Sequence, residues 1–548
     1  MNDRSTKRRW LAVAGTAGIF SLVLGVLACQ RGGKPVLSEG AELSAAEKEA
    51  TRPPVLWGGT VQRNLVNLVE KDIATTWSNS KGKEKNILWS AQLGSKAYGG
   101  PIFAGGKIFI GTNNERPRNK EIRGDKGVLM CLSEDKGEFL WQLVHDKLEA
   151  GRVNDWPEEG ICSGPVVEGN RIWYVSNRCE VICATTAGMK GGKNVGPFKD
   201  EKYKSDLDGD IVWKLDMIKD LGVFPHNLAT CSPLMVGDML FVITANGVDE
   251  GHINIPAPNA PSFLAIDKNT GKVLWKDKSP STAPNKILHG PWSNPVYTMV
   301  KGKAQVVFPG GDGWLYSFEP KTGELIWKFD CNPKGSMYRL GSEGTRNDFV
   351  STPVIHGDKL YIAVGQDPEH LKGVGHLWCI DITKKPKGKD KDISPYSDPK
   401  VETPLEFDPK DPKNKDSGLV WHFGGGKPAP AGRDYLFARS LSTCAIDKGL
   451  CYACDFAGTF FCFDAATGKP HWDFDLEGDT WSSPYVVDGK VYIGNEKGAV
   501  HIFEHSSTMK LVKKVQMRGM VRVTPVAQNG VLYVVTENPC MLWAIKAK

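Results

Sequence analysis

Long helical stretches are missing from this sequence: lysine, glutamate and alanine are scattered and nowhere form an extended amphipathic run. A mostly helical fold is thereby excluded. Charge of one sign is scarce as well. Lys and Arg number 69 against 63 Asp and Glu, a formal net charge of +6 over 548 residues with the acids interspersed. No RNP-like motif, zinc-finger spacing or basic helix adds to that excess, which sets nucleic acid aside as a partner. No two of the 13 cysteines are adjacent and none stands in a Cys-x-x-Cys-His, so a covalently attached c-type haem is excluded too. Glycine (60) and tryptophan (17) are plentiful, a balance suited to many short strands and tight turns.

The N-terminus has the layout of an export signal. Arg4, Lys7, Arg8 and Arg9 precede a run of apolar or small residues from Leu11 to Ala28. Cys29 directly after Ala28 fits a bacterial lipobox, so residues 1–28 are expected to be a lipoprotein signal and Cys29 the acylated residue. A plain secretory signal and an uncleaved anchor stay open as alternatives, since about 18 apolar residues just span a bilayer. Residues 29–85 are expected to form a tether and N-terminal extension, polar and small at first, with Trp57 to Trp77 lying against the body. Residues 86–548 form that body.

The body is repetitive, with a period of about 40 to 60 residues. The repeat opens on a small residue, followed by proline in seven of the eight copies, and continues through two apolar strands. A third strand ends in Asp, and a Thr-Gly turn leads to a last strand carrying Trp. The clearest copy runs from Trp292-Ser293-Asn294-Pro295 through Gly313-Trp314-Leu315-Tyr316 to Thr322-Gly323-Glu324-Leu325-Ile326-Trp327. Eight openings can be counted, at Gly100-Pro101, Gly164-Pro165, Ser232-Pro233, Asn294-Pro295, Thr352-Pro353, Thr443-Cys444, Ser483-Pro484 and Thr524-Pro525. The closing tryptophans are Trp141, Trp213, Trp275, Trp327, Trp421 and Trp472. The seventh repeat has Leu511-Val512-Lys513 in that slot, and the eighth reaches Lys548 without a last strand. Asn86-Ile87-Leu88-Trp89-Ser90 has the closing pattern ahead of the first opening, so it is expected to complete the eighth unit and remove an exposed sheet edge. The expected fold is all-β: an eight-bladed β-propeller of four-stranded antiparallel blades, the eighth closed by an N-terminal strand.

These repeats resemble the PQQ-type repeats of the quinoprotein alcohol dehydrogenases. The same repeat occurs in non-enzymatic relatives, including the propeller lipoprotein of the outer-membrane β-barrel assembly machine. Stretches such as Gly310-Gly311-Asp312-Gly313-Trp314 and Gly365-Gln366-Asp367-Pro368-Glu369-His370 are similar to those of propellers from planctomycete-like bacteria. A quinone enzyme of this kind implies an adjacent Cys-Cys pair over the cofactor, a Ca²⁺ site of Glu, Asn and Asp, and a catalytic Asp. The cysteine pair is absent, so the resemblance implies the non-enzymatic or uncharacterised branch.

Other constellations read as scaffold. Cys451 and Cys454 lie three apart in one strand and so face opposite sides, against a shared metal or redox site. Cys131, Cys183, Cys379 and Cys462 share a slot near the end of the third strand with Ala265, Ser317 and Ala544 elsewhere, the mark of a small packed position. Cys162, Cys179, Cys231, Cys331, Cys444 and Cys540 are left as disulfide candidates of open connectivity. Asp206-x-Asp208-Gly209-Asp210 lacks the glutamate of an EF-hand and is expected to be a solvated turn. The insertions Thr186 to Asp210 and Lys384 to Asp416, between third and fourth strands, are expected to be solvated decoration.

Up-and-down blades put the loop entering the first strand and the loop leaving the second on one face. That face is expected to collect Asn177, Arg178, His226, Asn246, Asp249, Glu250, His252 and Trp292. Arg346, Gln366, Asp367, His370, His376, Arg439 and Trp481 complete the candidate set, with His289, Asn347 and Asp348 in the wider ring. No catalytic residue and no metal ligand is assigned. The expected protein is an exported, membrane-tethered, monomeric propeller that binds a protein, peptide or carbohydrate on this face, without a cofactor. The alternative is an oxidoreductase dependent on PQQ and Ca²⁺, with Asp249, Glu250, Asp367, Asn177 and Arg346 as first contacts.

Overall fold

The structure, a computed structural model, describes residues 55–282, 287–337, 339 and 344–547. The expected signal, Cys29 and residues 30–54 of the expected tether lie outside the described residues. Eight antiparallel sheets follow one another, spanning 102–146, 166–216, 234–277, 296–330, 354–424, 445–475, 485–516 and 526–545, here blades 1 to 8. Blade 4 shows the plan, with strands Val296–Val300, Lys303–Pro309, Trp314–Phe318 and Leu325–Asp330 paired in order. In blade 8 the fourth strand is Ile87–Gln92, paired antiparallel with Met541–Ile545 and placing Trp89 opposite Ala544. The inferred closure is present.

The repeat residues have separable tasks. Each closing Trp stands across the ladder from the small slot: Trp141 faces Cys131, Trp213 Cys183, Trp275 Ala265, Trp327 Ser317, Trp421 Cys379 and Trp472 Cys462. Most of these indoles then reach the next blade. A Cβ on Gly271, which has φ +74°, would lie 2.6 Å from Trp213, and one on Gly137 would lie 2.4 Å from Trp89. Only glycine permits both that backbone and that approach. The indole N–H also donates across the gap, from Trp213 to the Lys268 carbonyl at 3.1 Å and from Trp275 to Pro320 at 2.7 Å. The openings form an inner belt. Ser232 N–H donates to Asn294 Oδ1 at 2.6 Å, Asn294 Nδ2 to Thr352 Oγ1 at 2.8 Å, and Thr352 N–H to Thr443 Oγ1 at 3.0 Å. Thr443 and Ser483 continue it to Ser483 and Thr524 at 2.9 Å each. Short hydroxyl and amide side chains recur there because each accepts from the opening of the blade before it, in all but the Thr352 link from a backbone N–H.

The N-terminal extension is part of the propeller. Val55 bridges Val167, the carbonyls of Val61 and Gln62 accept from Tyr297 and Ile355, and Val66–Asn67 adds a fifth, parallel strand to blade 7. Trp77 is buried in the core between blades 6 and 8.

Two expectations need correction. The insertions are not solvated decoration. Residues 207–209 hydrogen-bond both sides of Gln142 in the outer strand of blade 1, and 391–393 do the same at Lys328 in blade 4. Ile393 and Phe407 join the core. Outer strands offer unpaired N–H and C=O groups, and the insertions of the next blade satisfy them. The acidic turn is also not solvated: Asp208 and Asp210 are buried, and Asp210 accepts from the Gly196 N–H at 3.0 Å. All 12 described cysteines are buried and unpaired. Cys451 packs with Cys444 between blades 5 and 6, whereas Cys454 faces blade 7, as their spacing predicts.

Candidate functional site

The axis encloses a cavity of about 530 Å³, lined by the opening residues, by 55–60 and 64–70 of the extension, and by Tyr98, Trp292, Trp481 and Arg522. Arg63, on the extension, is fully buried and donates to the carbonyls of Ser232 and Pro233 at 2.9 Å, of Pro295 at 3.3 Å, and of Trp57. Burial lowers its pKa to about 9, and the carbonyl ring is what makes the guanidinium tenable there. At the loop end, Tyr98 of blade 1 stacks on Trp481 (5.9 Å between centroids) and meets Trp292 edge-on at 6.5 Å. Arg522 lies 4.8 Å over Trp481, with Nε 2.8 Å from Glu496 and one Nη 3.0 Å from Glu537. The indole N–H groups of Trp292 and Trp481 are buried and find no acceptor among the described residues. Sequence reasoning named both tryptophans but missed Tyr98, whose partners lie in blades 4 and 7, and Arg522, whose partners lie in blades 7 and 8.

Away from the axis, blades 3 to 5 bring four histidines together. His226 and His289 stand in the loops entering blades 3 and 4, and His252 and His370 in the loops leaving the second strands of blades 3 and 5. His226 Nε2 is 2.9 Å from His252 Nε2, and the His252 and His289 rings stack with centroids 5.7 Å apart. His226 Nδ1 lies 2.8 Å from the Val248 carbonyl and His289 Nδ1 2.9 Å from that of Gly290. His289 Nε2 is 3.8 Å from Asp367, and His370 Nδ1 is 3.1 Å from Gln366 Oε1. Burial first, then the neighbouring imidazoles, holds His226 down at about 2 and His370 at about 4, so both rings are neutral at pH 7. The loops can meet because Gly247 has no side chain: a Cβ there would lie 2.5 Å from that of His226.

The remaining predicted residues divide. Gln366 supports His370, and Arg439 donates to the His370 carbonyl at 2.8 Å and to Asn347 Oδ1 at 3.1 Å. Arg346 is fully buried in a pair with Asp330 (2.6 Å) and donates to the Asp312 carbonyl at 3.0 Å, which leaves it facing inward. Asn177 binds Asp155 at 2.8 Å, and Arg178 the carbonyls of Asp146 and Lys147. Asn246 spans Phe224 and Ala257, and Asp249 closes its own turn on Ile253 and Asn254. Glu250 is exposed. His376 pairs with His422 at 2.9 Å, sealed under Trp378 and Phe407.

Comparison with known proteins agrees with this architecture. The family model described as "Outer membrane protein assembly factor BamB" (PQQ_2) matches residues 195–399 and 413–508, more than half of the chain. The chain belongs to this family. A 125-residue segment is 30% identical to the quinoprotein ethanol dehydrogenase of Pseudomonas putida, covering 22% of this chain and 18% of that protein. A 255-residue segment is 24% identical to the polyvinylalcohol dehydrogenase of Sphingopyxis sp. (strain 113P3), covering 42% and 32%. The chain thus matches less than a third of either relative's length. A europium-containing methanol dehydrogenase shares the fold, with TM-score 0.54 and 14% identity over 89% of this chain and 90% of that one.

As a PQQ_2 propeller the chain raises the question of a quinone with Ca²⁺, and the residues present do not fit that pair. Among the described residues lining the axial cavity the single carboxylate is Glu70, already accepting from the Gly530 N–H at 2.6 Å, and the single cysteine is Cys162. Arg522 is held by Glu496 and Glu537. Asp249, Glu250, Asp367, Asn177 and Arg346 do not form one set: Asn177 and Arg346 serve local carboxylates, Asp249 serves its turn, and only Asp367 reaches the histidines.

Proposed function

We propose that this chain is an exported propeller, held at a membrane through its N-terminal region, that binds a macromolecular ligand on the loop face. Of protein, peptide and carbohydrate, polypeptide is favoured. The observation that carries the reading is a pair of apolar side chains, Ile253 and Leu371, each 72% exposed, on the two loops that bring His252 and His370 together. Around them stand Arg152, 4.0 Å over the Trp156 ring, and Glu369, 3.7 Å from Arg152. An apolar centre with a polar, aromatic rim is the composition of a protein-binding patch. Export and an envelope location accord with the family, whose description names an outer membrane assembly factor. The bound partner is tested by photo-crosslinking in cells. Adducts are expected from probes at Ile253 and Leu371, and fewer from the full chain carrying Ile253→Asp. Probes at exposed Met509 and Leu511, on the outer edge of blade 7, should give none. Equal labelling from both regions would overturn the reading.

The similarity to the dehydrogenases favours a second reading, a PQQ-dependent oxidoreductase. Adding PQQ and Ca²⁺ to the purified protein tests it. A saturable thermal shift together with dye reduction would establish that reading in place of the first.

A further inference from the structure

We propose that His226, His252 and His289 form a binding site for one divalent first-row transition-metal ion of the Zn²⁺ class, with the Asp367 carboxylate beside it. One ligand atom from each histidine falls within 4.8 Å of the other two. The closest pair, the Nε2 atoms of His226 and His252, is 2.9 Å apart. Imidazoles bound at about 2.0–2.1 Å to a common ion have their nitrogens roughly 3 Å apart, so this pair already has ligand spacing. The ligand atom of the third ring, His289, lies within 4.8 Å of both.

The hydrogen bonds behind the rings point the same way. A backbone carbonyl can only accept, so the contacts to Val248 and Gly290 put the proton of His226 and of His289 on Nδ1. Both Nε2 atoms then carry the lone pair, that of His226 facing His252 and that of His289 facing Asn227 and Asp367, and a carbonyl behind the ring is the arrangement usual for metal-bound histidine. Without an ion, one N–H of His252 answers the His226 lone pair, and His289 Nε2 is left with the Asn227 amide at 3.3 Å. Asp367 Oδ2, 3.8 Å from His289 Nε2, supplies compensating charge. Imidazole with a single carboxylate selects zinc, cobalt, nickel or copper over calcium and magnesium, which require oxygen sets. Backbone is held in disfavoured form around the cluster: Asn227, Ala245, His252 and Leu371 all have positive φ, between 52° and 63°. Half-buried His252 leaves one side of the site open to solvent. The site stands whatever ligand the surrounding face takes.

Chelator-treated full-length protein titrated with Co²⁺, read by visible absorption, and with Zn²⁺, read by calorimetry, tests this. One ion per chain is expected, with cobalt ligand-field bands. His252→Ala and His289→Gln should each weaken binding by at least about 10–100-fold, the loss typical of removing even an outer partner of a metal site. His252 lies on a half-exposed loop, so an unchanged melting curve in its variant separates lost binding from lost fold. Exposed His471, on the outer strand of blade 6, is the control, and His471→Ala should bind as the parent does. Binding no tighter in the parent than in the His252→Ala/His289→Gln double variant, or lost equally in His471→Ala, would overturn the site.

Discussion

The axial channel and the histidine pocket are made from the same set of loops, yet they treat polar groups in opposite ways. On the axis the cations are answered. Arg63 is ringed by four backbone carbonyls, and Arg522 is clamped between Glu496 and Glu537 under an aromatic stack. In the pocket, imidazoles face one another, and those of His226 and His289 are turned by backbone carbonyls so that Nε2 carries the lone pair. A buried ion pair adds rigidity, whereas ring nitrogens held only by a neighbouring imidazole and an amide can be taken over by a cation. The spare donors, the Trp292 and Trp481 N–H groups, stay on the axis, and the spare acceptors are in the pocket. The His376–His422 pair sharpens the contrast: it has the same 2.9 Å nitrogen spacing but is closed in by Trp378 and Phe407.

The largest test of this contrast is Arg63→Ala. It strands several buried carbonyls and unfastens the extension, and should cost about 3–5 kcal/mol in urea unfolding. A loss below about 1 kcal/mol would mean that the extension does not secure the axis. Trp481→Ala removes the ring that Tyr98 and Arg522 cover; being half-buried, it should cost less, about 2 kcal/mol, and leave Co²⁺ binding untouched. Cobalt bands lost in that variant would break the separation between channel and pocket. The smallest effect is on pH dependence. Burial holds His376 at about 3, below its ordinary value, so its neutral form favours the folded state above about pH 6.5. That contribution is lost as pH falls from there towards 3. His376→Gln should reduce the slope of stability against pH in this window by up to about 1.4 kcal/mol per unit, measured from urea midpoints at pH 7 and 5, without altering metal binding.

Much of the scaffold was legible because its constraints are local and repeated. A small residue stands across from Trp in seven blades, a small residue precedes proline in seven openings, and Thr-Gly turns mark three, so period alone exposes them. The insertions were misread for the opposite reason. Lys384 to Asp416 is rich in charge, and nothing local marks Ile393 and Phe407 as residues that cover the edge of blade 4. Of the site, topology placed His226, His252, His289 and His370 on one face, but could not set Gln366 behind His370 or turn Arg346 inward to Asp330.

The sequence by itself determined the number of blades, the closure of blade 8 by Trp89's strand, and which face carries the long polar loops. These follow from strand period and up-and-down connection, properties of each repeat taken alone. Tertiary structure decided that residues 55–70 border the axial cavity, that Tyr98 meets both Trp292 and Trp481, and that three imidazoles from two neighbouring blades share one space. Those outcomes depend on how loops of unlike length lean on one another around the ring, and no single repeat contains that information.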